Sequence, residues 1–215
     1  IKPDGERPEI YFPEQELKEA REILKQAGLS GMTLIGLAPG ASKFTKQWPA
    51  ERFAKAGAIL AKELGAGVVS IGGKEDASAG EEVYAEVKAE GIERLKNLTG
   101  QLSILGSSAL ISLIDLLISN DSALLHLATA VDTPVVAIFG ATTRELGFFP
   151  SSKKADVLEV SQEVLKCRPC SLHGEKSCPE KHFKCMLEIE PERVVEAGKL
   201  LLERFKNEQR NRDRD

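Results

Sequence analysis

The chain has 215 residues, 42% hydrophobic and 29% charged, with a formal net charge of −4. That balance suits a water-soluble α/β domain with a substantial core and argues against a nucleic-acid-binding surface, which needs a basic excess. No apolar run approaches the roughly 20 residues that span a bilayer, and the opening IKPDGERPEI carries no secretory hydrophobic segment, so a cytoplasmic location is expected.

The first stretch lacks Met and is charged and Pro-containing, which reads as a linker within something longer. PEQELKEAREILKQAGL (13–29) has Leu17, Ala20, Ile23, Leu24 and Ala27 at helical spacing. TLIGLAPG (33–40) reads as a buried strand, and PAERFAKAGAILAKELG (49–65) as a helix with Phe53, Gly57, Leu60 and Leu64 in one stripe. The pattern then repeats: strand 67–73, helix 75–90, strand 93–100, helix 103–114, strand 115–121, helix 122–131 and strand 134–140. A sixth strand is expected at 155–161 and a closing amphipathic helix at 191–205, with Val194, Ala197, Leu201 and Phe205 inward. The charged tail from 207 to 215 reads as disordered.

The strands are near-continuous apolar runs, as strands covered on both faces are. With helices between them, they predict a doubly wound, Rossmann-like parallel sheet. Ligands in such sheets bind beyond the carboxyl ends of the strands, near helix N-termini. The first strand is followed by APGASKFTKQWP, holding Ala41, Ser42 and Lys46, without a P-loop or a dinucleotide glycine fingerprint. The second is followed by GGKED, where Glu75 and Asp76 either cap a helix or accept hydrogen bonds from a ribose. The fourth ends in NDSALLH. There Ser122 and His126 share one helix face beside a free N-terminus, a setting for phosphate, and Asp121 either fixes the loop or meets a sugar hydroxyl. The fifth ends in GATTRE, a further hydroxyl-rich turn at the same edge. Each residue also has a plain structural reading: Asp121 or Ser122 as an N-cap, His126 as a half-buried core histidine, and Lys46 as a solvated charge. Their convergence on one sheet edge favours the site.

PGASKFTKQWPAERFA, NLTGQLS, NDSALLHLATAVDTPVVAIFG and IEPERVVEAGKLLL together resemble the C-terminal half of glycosyltransferase family 9, the ADP-heptose:lipopolysaccharide heptosyltransferases and their relatives. The resemblance implies the GT-B arrangement of two facing Rossmann-like domains, of which this chain is the donor-binding one. Residues 1–30 would then be the interdomain linker and helix, 31–189 the nucleotide-sugar-binding domain, and 190–206 the C-terminal helix. It implies a nucleotide-sugar donor such as ADP-heptose, and no required cofactor or catalytic metal. Lys46 would contact the diphosphate and Ala41 and Ser42 would line its side of the pocket. Glu75 or Asp76 would hold ribose and Leu102 would pack on the base. Asp121, Ser122, Ala123 and His126 would meet the diphosphate and sugar, with Lys46 and His126 stabilising the leaving group. The catalytic base would lie in a partner acceptor-binding domain, with a glycolipid acceptor at the inner face of the bacterial inner membrane. Ala123 departs from the glycine more usual in the family motif. A non-catalytic nucleotide-binding domain, or another GT-B enzyme such as an epimerase, are the rival readings.

The four cysteines, Cys167, Cys170, Cys178 and Cys185, all fall in CRPCSLHGEKSCPEKHFKC (167–185). The spacing is open to structural zinc, to disulfides or to free thiols, and the loop reads as structural, or as lining the acceptor side, and not as catalytic.

Overall fold

The strands are short; the four central ones are buried along their whole length, which commits every residue in them to packing on one face or the other, and the two edge strands are only partly buried. In a computed structural model, which describes residues 8–212 (side chains to 205), they are β1 (Leu34–Ala38), β2 (Gly67–Ser70), β3 (Leu95–Asn97), β4 (Leu116–Asn120), β5 (Val135–Phe139) and β6 (Ala155–Glu159). All pair in parallel, in the order β3-β2-β1-β4-β5-β6. The chain leaves β1 in one direction and returns to its other side with β4. The β1–β4 seam is therefore the topological switch point, where the loops at the carboxyl ends diverge and open a crevice.

The helices are α1 (Glu14–Gln26), α2 (Ala50–Leu64), α3 (Ala77–Ala89), α4 (Ile104–Ser112), α5 (Ala123–Ala130), α6 (Lys184–Leu187) and α7 (Pro191–Arg212). Successive strand residues alternate between two cores. Ile35, Leu116, Ile118, Val136 and Ile138 pack with α2, α3 and α7, whereas Leu34, Leu117, Val135, Ala137 and Phe139 pack with α1, α4 and α5. Each Leu or Ile so buried contributes on the order of 2 kcal/mol of transfer free energy, so both faces of the sheet are firmly covered.

Three expectations change. The stretch before residue 30 is more than a connection: α1 lies against α4 with Ala20 and Leu24 buried in the second core. Leu64, the last residue of the α2 stripe, is exposed because the helix ends there at the left-handed Gly65. The final helix runs on to Arg212, past the point where disorder was expected, because Lys, Glu, Gln and Arg continue a helix readily once a buried stretch has nucleated it. Val194, Ala197, Leu201 and Phe205 are buried as read. Residues 1–7 of the linker and 213–215 of the tail lie outside the described residues.

Candidate functional site

At the switch point one buried side chain stitches the two central loops together. Asn120, at the end of β4, accepts from the Trp48 N–H (3.0 Å) and donates to the Pro39 carbonyl (2.7 Å). The Trp48 indole N–H donates to the Ile189 carbonyl (3.0 Å), and the Gln47 amide donates to the Ala41 carbonyl (2.8 Å). So fixed, the loop makes one 3-10 turn at Phe44–Lys46 and delivers Lys46 to the tip of β4. There the Lys46 Nζ lies 2.8 Å from Asp121 Oδ2, which also accepts from the Thr142 hydroxyl at 2.7 Å. Lys46 is 8% and Asp121 2% exposed. An isolated charge so buried would be costly, and this pair is built to cancel.

The cysteine-rich loop supports the same turn. Thr45 donates its N–H to the Glu175 carbonyl (3.1 Å) and accepts from the Glu175 N–H at its hydroxyl (2.7 Å). Gly174, at a φ of +81°, sits so close that a Cβ there would lie 3.0 Å from Cγ of Lys46. The Phe148 ring lies 5.6 Å from the Lys46 ammonium, with the His173 ring behind it. The loop is anchored by buried Arg168, which donates to the Gly140, Val160 and Thr142 carbonyls and pairs with Glu159. All four cysteines are free thiols, and burial pushes the Cys185 thiol up to about 11. Among the described residues no three His, Cys, Asp or Glu side chains gather to hold a metal ion. The loop's visible work is structural.

These elements surround a cavity of about 770 Å³, and every site residue read from the sequence lines it. Ala41, Ser42 and Lys46 come from the loop after β1. Asp121, Ser122, Ala123 and His126 come from the end of β4 and the first turn of α5. Glu75 and Asp76 follow β2, and Leu102 precedes α4. The plain structural readings fare poorly. Asp121 is engaged by Lys46 and Thr142 rather than capping α5. Ser122 occupies the N-cap position but makes no side-chain cap bond, its hydroxyl lying 3.4 Å from that of Ser119, so the first-turn N–H groups face the cavity uncapped. His126 is exposed at the cavity rather than packed in the core. Lys46 is buried and paired, not solvated.

Asp76 accepts from the Gly73 N–H at 2.9 Å. Burial holds its carboxyl above the ordinary value, the Gly73 bond pulls it part of the way back, and Glu75 pushes it up again. Gly40 lies against it: a Cβ at residue 40 would fall 2.0 Å from Cγ of Asp76, so any larger residue there requires the Asp76 carboxylate to move.

Sequence reasoning passed over Asn120, Thr142, Phe148, Ile104 and Ser107. Thr142 lay in the flagged GATTRE turn and Asn120 in NDSALLH, so their motifs carried a signal. The other three are ordinary in sequence and become site residues only through tertiary placement.

Comparisons with known proteins give the family and the fold. Residues 4–184 match the family model Glycosyltransferase family 9 (heptosyltransferase), and the chain belongs to that family. Lipooligosaccharide heptosyltransferase 2 of Campylobacter jejuni (serotype O:2) is 33% identical over 174 residues, covering 80% of this chain and 52% of the relative. Lipopolysaccharide heptosyltransferase 2 of Escherichia coli K12 is 31% identical over 200 residues, covering 90% and 54%. Among solved structures, the E. coli ADP-heptose lps heptosyltransferase II superposes with a TM-score of 0.74 at 27% identity, covering 93% of this chain and 54% of that one. The glycosyl transferase family 9 structure from Veillonella parvula gives 0.74 at 28%, covering 90% and 53%. The chain thus spans about half the length of the relatives it matches, and the sheet is the Rossmann-like domain of a GT-B fold. No helix among the described residues is long and apolar enough to cross a membrane.

Proposed function

We propose that this chain is the donor-binding half of an inverting glycosyltransferase that transfers heptose from ADP-heptose to a lipopolysaccharide-core acceptor. The observation that carries the reading is the meeting of Lys46, the open N-terminus of α5 and His126 on one cavity at the switch point. A nucleoside diphosphate needs N–H donors and a fixed cation, and this wall offers both. The acceptor hydroxyl attacks the anomeric carbon in line, deprotonated by a carboxylate of the acceptor-binding half. As the glycosidic bond breaks, charge builds on the diphosphate. Lys46, already aimed by Asp121, and His126 stabilise it, together with the α5 N–H groups. Asp121 balances Lys46, so the net field is modest and the oriented N–H groups carry much of the recognition. Asp76 and Glu75 face the ribose. The partner half holds the glycolipid acceptor at the inner face of the bacterial inner membrane.

Calorimetric titration with ADP, UDP and GDP tests the reading. ADP is expected to bind most tightly, and a preference for UDP would redirect it to another donor. Lys46→Ala is expected to weaken ADP binding by about tenfold or more, equivalent to ~1.4 kcal/mol; unchanged affinity would remove Lys46 from the site. The chain alone is expected to bind donor and transfer nothing.

A further inference from the structure

Ser107 sits on α4, 6% exposed, and lines the donor cavity, yet its hydroxyl has no hydrogen-bond partner among the described residues. Its neighbour Ser108 does what helical serines usually do and bonds back to the carbonyl four residues earlier. Three other buried hydroxyls without partners, on Ser70, Thr99 and Thr143, do not line the cavity. Unlike those three, the Ser107 hydroxyl keeps an open side, and that side is the cavity, where it can bond a group placed there.

The surroundings select what that something is. Ile104, three residues earlier on the same helix face and 72% exposed, and Leu102 line the same cavity, as does Leu127 of α5. Their side chains are apolar, a poor seat for phosphate and a good one for a flat heteroaromatic ring. We infer that Ser107 is a specificity-determining residue of the donor site, its hydroxyl bonding the polar edge of the nucleobase while Leu102 and Ile104 cover the ring. For adenine the 6-amino group donates to the serine oxygen. This rests on the donor-binding reading above and adds to it the residue that reads the base.

The test is Ser107→Ala, titrated calorimetrically with ADP, with inorganic pyrophosphate and with purine riboside 5′-diphosphate, which lacks the 6-amino group. ADP affinity is expected to fall about five- to tenfold, the scale of one neutral hydrogen bond, while pyrophosphate and the purine analogue bind as to the wild type. Because alanine removes a hydroxyl that no protein group bonds and favours the helix, the melting temperature is expected to hold or rise; a structural serine would lower it. Undiminished ADP affinity, or equal losses for ADP and pyrophosphate, would overturn the assignment of Ser107 alone. A folded wild type that binds none of the nucleotides would overturn the donor-binding reading, and this inference with it.

Discussion

Lys46 and Asp121 depend on each other more than either contributes alone. Removing one partner of a buried pair strands the other charge, at a cost of about 3–5 kcal/mol. Asp121→Asn is therefore expected to lower the melting temperature by roughly 6–20 °C, and adding Lys46→Met to that variant to recover most of the loss. A thermal-denaturation cycle of the four proteins measures the coupling; additive losses would mean the pair is not coupled. Asp76 works with the opposite sign. Its carboxyl is held above the ordinary value of 3.8 by burial, so the folded state takes up a proton more readily than the unfolded chain. Ionised Asp76 thus costs stability at neutral pH, and the cost fades as pH falls through the raised value and then below 3.8. Asp76→Asn keeps an acceptor for Gly73 and is expected to be more stable than wild type at pH 7, the gap closing at acid pH in urea titrations. A gap that widens on acidification would reverse the assignment. The residue types were readable in the sequence, since NDSALLH and TKQWP pointed to residues that line one cavity. The Lys46–Asp121 pairing was not, because nothing in local spacing says which charges a fold will press together.

The elements were legible wherever their period was strong. Alternating apolar runs and helical stripes gave the strands and helices because burial on both faces leaves no other pattern. The 3-10 turn at Phe44–Lys46 and the cysteine-rich loop were not, since their shape comes from contacts made far along the chain, such as Thr45 with Glu175. If Lys46 holds the donor as proposed, that loop is expected to affect binding through Gly174. Substituting Ala there puts a side chain into a left-handed conformation, at about 1–2 kcal/mol, and presses on the stem of Lys46. Gly174→Ala is expected to weaken ADP binding several-fold. Gly65→Ala, with a φ of +62° and open space around it, is expected to lose comparable stability and no affinity. Equal binding by the two variants, measured by calorimetry, would mean the loop does not set Lys46.

Across the whole molecule, the parallel sheet and its helical cover followed from composition and alternation. Strand order did not, because several right-handed arrangements satisfy the same apolar pattern. The standing of α1 was likewise hidden: its stripe says that it packs, but not on what. Its burial of Ala20 and Leu24 against the α4 side makes it part of the domain. A chain beginning after Gly28 is expected to melt several degrees lower and to self-associate through the uncovered α4 face, visible in gel filtration. An unchanged melt would return α1 to the role of a mere connection. The contact at Gly40 has a consequence for re-engineering. A side chain at residue 40 would have to push the Asp76 carboxylate aside, so a change on the rim after β1 also moves the acid on the rim after β2. Variants that accept a different nucleotide sugar are to be sought by exchanging side chains such as Ile104 and Ser107, with position 40 left untouched in the library.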